Sequence, residues 1–102
     1  MAATSELDVN ETQPRLLVAS GVVDLHSVSI LSDKLDELGA DEDVVLDLSN
    51  IEFIDSSGLR AIVVAHRRLD TAGKRLVLTK PSASVRRLFE ITSLEGHLNV
   101  EG

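Results

Sequence analysis

The chain has no cysteine, no tryptophan and no tyrosine, and Phe53 and Phe89 are its only aromatic residues. Without cysteine there are no disulfides, thiolate metal sites or thiol nucleophiles, a composition that fits a reducing compartment. So few aromatic rings cannot form a platform for stacking bases. The formal charge of −7, from 10 Lys and Arg against 17 Asp and Glu, opposes approach to phosphate backbones and anionic membranes. Neither nucleic acid nor a membrane is an expected partner, whereas a protein with a basic surface is. Long hydrophobic runs are also missing: stretches such as Ala61–Ala65 are far too short to cross a bilayer. Residues Met1 to Glu11 hold no Lys or Arg and no apolar run of the kind a signal peptide needs. The expected setting is soluble and cytoplasmic.

Several chemical signatures are absent as well. No G-x-S-x-G elbow exists, so the hydrolase signal is missing, and no glycine-rich phosphate loop is present. A serine-nucleophile site would draw on Ser56, on Asp24 or Asp55, and on His26, His66 or His97 as base. His66 falls on or near the apolar stripe of a helix and reads as a packing residue, while His26 and His97 read as solvated. The three histidines are spread along the chain with no ligand pair on one helix or hairpin. The expectation is a non-enzyme with no metal and no cofactor.

What is present suits one compact α/β domain over residues 1–102, with 43% hydrophobic and 26% charged residues. Residues 1–13 are polar, and Leu7 and Val9 alternate with polar neighbours, giving at best a short edge strand. Arg15–Ser20 (RLLVAS) reads as a strand closed by a turn at Gly21. Val28, Leu31, Leu35 and Leu38 recur at helical spacing after a cap at Ser27 or Ser29, and Gly39 ends that helix. Val44–Leu48 (VVLDL) has the pattern of a central strand, and Ser49–Ser57 reads as a connection with Ile51, Phe53 and Ile54 in the core.

A second helix is expected from Ser57 to Gly73, buried through Leu59, Ile62, Val63 and Leu69. Arg67 and Arg68 lie in its last turns, where cations favour the dipole. A strand at Arg75–Thr79, a third helix capped near Ser82 or Ser84 with Val85, Leu88 and Phe89 inside, and a short strand at His97–Glu101 complete the order. The product is a mixed, mainly parallel four- to five-stranded sheet with helices packed on it. Nothing in the pattern demands more than a monomer.

The most informative stretch is VLDLSNIEFIDSSGL at 45–59, which puts an acid, two hydroxyls and a glycine where a helix begins. Free amides and the positive dipole end of a helix stabilise a negative group there, which suits a phosphate on Ser56, with Gly58 leaving the approach uncrowded. A bare D-S-S-G by itself favours the reading as a helix cap at Asp55 or Ser56, worth about 1 kcal/mol. Asp24, after Gly21, is on its own a turn residue.

The longer run LDLSNIEFIDSSGLRAIVVAHRRL resembles the signature of the STAS family, in particular the anti-sigma factor antagonists of bacteria. SGVVDLHSVSILSDKL upstream, with Gly21 and Asp24, and SVRRLFEITSL at 84–94 downstream extend the resemblance over roughly residues 15 to 100. The resemblance implies a phosphorylation-switched binding protein. Ser56 would accept phosphate from a serine kinase that is also an anti-sigma factor, with Ser57 the weaker acceptor. Asp24, Asp55, Ser57, Gly58 and Leu59 would form the partner-binding face, and a serine phosphatase would reset the switch. Val22 stands where many members carry Glu, Ser93 where many carry Gly, and a final helix common in the family is not expected. The competing expectation is a STAS module docked constitutively in a stress-signalling or lipid-transport complex.

Overall fold

The computed structural model describes residues 6–94 and 96–102, so residues 1–5 of the expected N-terminal segment lie outside the described residues. The elements alternate in the expected order: β1 (Asp8–Gln13), β2 (Leu16–Val23), α1 (Val28–Leu38), β3 (Val44–Ile54), α2 (Ser56–Thr71), β4 (Leu76–Thr79), α3 (Ala83–Thr92) and β5 (Asn99–Glu101). The strands lie side by side in that same order in one five-stranded sheet. The β1–β2 pairing is antiparallel and every later pairing is parallel.

Alternation along the strands decides which face is covered. Leu17, Ala19 and Val23 of β2, Val44, Leu46 and Leu48 of β3, and Leu76 and Leu78 of β4 are buried. Their neighbours Leu16, Val18, Val45 and Val77 are only half covered. The buried helix residues Leu31 and Leu35, Ile62 and Leu69, and Val85 and Phe89 join those strand residues in one core cluster. The three helices therefore gather on one face of the sheet, each through a stripe of apolar residues three or four apart. Leu7 and Val9 are buried as well, which makes β1 the expected edge strand.

Arg15 fastens the strand starts to the helix layer. It takes a left-handed backbone conformation (φ 62°) in the β1–β2 turn. Its guanidinium donates to the carbonyls of Leu38, Gly39, Glu42 and Asp43, supplying the end of α1 with the donors that a helix C-terminus lacks.

Four expectations are corrected. Gly21 does not end a strand: β2 runs on to Val23, and Gly21 (φ 106°) accommodates the Glu6 carbonyl, which an added Cβ would meet at 2.1 Å. The segment 49–54 is not a connection either, because β3 continues to Ile54 alongside β2. Two register shifts in that pairing break the alternation of β3 and turn Phe53 outward to 51% exposure instead of into the core. At α1 the cap position is Ser27, but its side chain makes no cap bond, being engaged with Val22 and Asp24. Finally, β5 starts at Asn99, since the His97 amide closes a turn onto the Leu94 carbonyl.

Candidate functional site

The parallel strands β2 and β3 end together, with Val23 paired to Ile54 and the Asp55 amide donating to the Val23 carbonyl at 3.1 Å. This joint brings Asp24 and Asp55, far apart in sequence, to neighbouring positions at the starts of α1 and α2. Loops at the carboxyl ends of parallel strands are where α/β folds carry their sites, because the sheet fixes the loop ends while leaving the side chains free.

Asp55 is the N-cap of α2, and its Oδ1 accepts from the amides of Ser57 at 2.8 Å and Gly58 at 3.2 Å. Such a cap contributes about 1 kcal/mol. The helix thus begins at Ser56 rather than Ser57, and the amides expected to be free for a phosphate are already occupied by Asp55. Ser56 is exposed in the first helical position, and Ser57 beside it is half-buried. Gly58 does not serve an open approach from solvent. It is buried, and a Cβ there would come within 2.6 Å of Val23 Cγ1 and 2.7 Å of Ile54 Cγ1. Its lack of a side chain lets α2 sit tightly on the strand ends, and Leu59, 7% exposed, anchors the same turn from below.

Asp24 organises the connection from β2 to α1. Its Oδ1 accepts from the His26 amide at 3.0 Å, the Ser27 amide at 3.0 Å and lies 3.1 Å from the Ser27 hydroxyl, which also donates to the Val22 carbonyl at 2.8 Å. Partial desolvation pulls the Asp24 carboxyl pKa upward, but the bonds from Ser27 and His26 and the charge of His26 outweigh it and hold the pKa below the ordinary carboxylate value. A carboxyl whose folded pKa is depressed adds stability above its unfolded pKa and loses it as pH falls through the folded value. Thermal melts between pH 6 and 2.5 should therefore show wild type losing more stability on acidification than Asp24→Asn. Parallel curves for the two proteins would contradict this.

Next to Ser57 a groove runs between α1 and α2, with Leu25, Val28, Arg60 and Val64 among its walls. Leu25 is 73% and Val64 56% exposed, so large apolar side chains stand open in the groove that Ser57 lines. Sequence reasoning missed Leu25, Arg60 and Val64. Arg60 could have been found from its place four residues after Ser56 on a helix, but Leu25 and Val64 fit no recognisable pattern. The histidines do not assemble with Ser56. His26 is exposed in the β2–α1 connection, and among the described hydrogen bonds none joins Ser56 to a histidine. His66 and His97 line a different hollow with Asp70 and Leu98, well down α2. His66 is half-buried with its Nδ1 enclosed and unpartnered among the described residues. Among the described residues, no helix is long and apolar enough to cross a membrane.

A sequential-order sheet with helices on one face, carrying an acid-capped D-S-S-G helix start at its strand ends, defines a single α/β domain with a mixed five-stranded sheet. The sequence profile of the family described as "Mlab, STAS domain" matches residues 8–100, and the chain belongs to the STAS domain family. It is 32% identical over 82 residues to an anti-sigma-B factor antagonist of Staphylococcus aureus (strain NCTC 8325 / PS 47), covering 78% of this chain and 76% of the relative. It is 31% identical to the anti-sigma-B factor antagonist of Listeria monocytogenes serovar 1/2a, covering 100% of this chain and 94% of the relative. Among solved structures, an anti-sigma factor antagonist from Mycobacterium paratuberculosis superposes with a TM-score of 0.77 at 23% identity, over 99% of this chain and 90% of that one. The anti-sigma factor antagonist SpoIIAA in its unphosphorylated form gives 0.73 at 22% identity, over 94% and 87%. These two likenesses establish the shared fold.

Proposed function

We propose that this chain is an anti-sigma factor antagonist whose unmodified form binds an anti-sigma factor with serine-kinase activity, releasing the sigma factor that the kinase would otherwise hold. Phosphorylation of Ser56 switches that binding off, and a serine phosphatase restores it. In the kinase step the Ser56 oxygen attacks the γ-phosphorus of a kinase-bound ATP. The bond from that phosphorus to the bridging oxygen breaks, ADP leaves, and the hydroxyl proton passes to a base. Nothing in this role requires the chain itself to be an enzyme.

The observation that carries the reading is the position of Ser56: exposed, fixed in the first turn of α2 by the Asp55 cap, at the end of a strand whose neighbour leads into Asp24. The names of the Staphylococcus and Listeria relatives support it from outside the geometry. Asp24, Asp55 and Ser57 form the surface offered to the kinase, Gly58 and Leu59 hold that surface in shape from beneath, and Ser57 is the secondary acceptor. A cytoplasmic setting and a monomeric chain belong to the proposed role, as expected from the sequence.

Phosphopeptide mapping of the protein from its native cells, in growth and under stress, tests the reading. Phosphate within residues 52–60, assigned to Ser56 and changing with conditions, is the expected result. No phosphate under any condition, with stable co-purification in a larger assembly, would replace the switch with a constitutive docking module.

A further inference from the structure

A phosphate placed on Ser56 has to find its positive partner, and most of the usual source at a helix start is already used. The amides of Ser57 and Gly58 donate to the Asp55 carboxylate, and the Leu59 amide donates to the Asp55 carbonyl at 3.1 Å. Asp55 is itself an anion adjacent in sequence to the phosphoacceptor, and Asp24 stands at the neighbouring strand end. Of the first-turn amides only that of Ser56 itself is left without a partner among the described hydrogen bonds, while the two carboxylates repel a new phosphate.

One turn further on stands Arg60. On a helix, side chains four residues apart are neighbours, with Cβ atoms about 5–6 Å apart. The burial pattern leaves both Ser56 and Arg60 exposed, so both belong to the solvent side of that turn. Arg60 has no hydrogen bond or ion pair among the described residues, in contrast to Arg68 on the same helix, which is held by Asp36 and the Leu35 carbonyl. It is also the one basic residue lining the groove that contains Ser57. The guanidinium fork matches a phosphate oxygen pair with two parallel hydrogen bonds.

We propose that Arg60 captures the phosphate of phosphorylated Ser56, forming an intramolecular phosphoserine–arginine pair along the first turns of α2. This rests on Ser56 as the phosphoacceptor, with the phosphoryl group delivered from ATP by the partner kinase. Its consequence is that modification changes the docking surface twice. An anion appears at Ser56, and the single cation of the α1–α2 groove is withdrawn from any acidic group of the partner. The pair also steadies the modified helix start, since the donor at Arg60 offsets part of the repulsion from Asp55 and Asp24.

The test uses the full chain with phosphoserine genetically encoded at position 56, so its outcome does not depend on whether cells phosphorylate that residue. Phosphorus NMR titrations of this protein, of its Arg60→Gln form and of its Arg60→Lys form report the second ionisation of the phosphate directly. The other titratable groups on the elements around that helix start are Asp55 on α2, Asp24 and His26 in the β2–α1 connection with Glu6 lining the same hollow, Glu52 on β3, and Arg87 of α3 in a hollow with Phe53, while Asp36 lies farther along the groove, paired with Arg68. All three proteins carry these, so they cancel in the comparison. With Arg60 present the phosphate should ionise roughly half a unit lower than in the Arg60→Gln form, about a threefold weaker hold on its proton, with Arg60→Lys in between. The Arg60 guanidinium resonances should move with the same midpoint. Identical midpoints in all three proteins and stationary guanidinium resonances would overturn the pair. Amide spectra confirm that the exposed substitution leaves the fold in place. A pair seen in vitro with no phosphate on Ser56 in cells would leave the pair standing and remove the proposed switch.

Discussion

Stoichiometric phosphate on Ser56 is expected to weaken the proposed complex with an anti-sigma kinase about a thousandfold, a loss of about 4 kcal/mol. The modification adds about −1.5 to −2 charges at neutral pH. Ser56 is fully presented at the start of α2, so the added group stands at the centre of the proposed contact surface and loses its water when a partner closes over it. Burying an incompletely paired charge costs several kcal/mol, and a pair with Arg60 neutralises only part of a dianion. Asp24 and Asp55 add like-charge repulsion. Calorimetric titration of the kinase with wild type, Ser56→Ala, Ser56→Asp and the phosphoserine protein measures the effect. Wild type and Ser56→Ala should bind alike, Ser56→Asp more weakly, and the phosphoprotein hardly at all. If the Asp and phosphoserine forms bind as tightly as wild type, charge at this position is not the switch.

Gly21→Ala should be the most damaging of the conservative substitutions, costing about 3 kcal/mol or more. Two effects add. Its φ of 106° lies where side-chain-bearing residues are strained, and the new Cβ would lie 2.1 Å from the Glu6 carbonyl oxygen and 3.3 Å from Leu7 Cα. Those obstacles are backbone, so relief requires moving the chain at Glu6 and Leu7 and uncovering Leu7, which is 6% exposed in the native fold. The expected fall in melting temperature is on the order of 10–20 °C for a domain of this size. Gly39→Ala is the control: Gly39 also has a positive φ, 69° with ψ −169°, but nothing lies within 4 Å of its Cβ position, so strain alone should cost about 1–3 kcal/mol. Urea unfolding of both variants separates the two contributions. Equal losses would mean that the contact with Glu6 is not confining.

Much of this fold is legible in the sequence because its signals are local. The helical spacing of Val28, Leu31 and Leu35, the cap at Ser82 and the apolar run at Val44–Leu48 each follow from one segment alone, and the element order follows from their succession. What stays hidden depends on pairing between segments. Gly21 looks like a turn residue because the carbonyl that requires it belongs to Glu6, and Phe53 looks like core because the register shifts between β2 and β3 are not written in either strand. The site shows the same division. Ser56, Asp55 and Asp24 can be picked out from the family resemblance and from residue type. Yet the occupation of the Ser57 and Gly58 amides by Asp55, and the packing role of Gly58 against Val23 and Ile54, are facts of three-dimensional proximity.

The sheet order has one more consequence. Because the strands stand in space as they do along the chain, each strand is hydrogen-bonded to the strand before it and the strand after it. Cohesion in such a stack is close to a sum over nearest neighbours, and opening spreads inward from whichever end loosens first. Here the ends are β1 and the three-residue β5, whereas β3, flanked on both sides, is the middle rung. Ser56 grows directly out of that rung. A signal placed there acts on the last part of the domain to fray, so local melting is a poor way for it to be heard, and the message has to travel as surface charge.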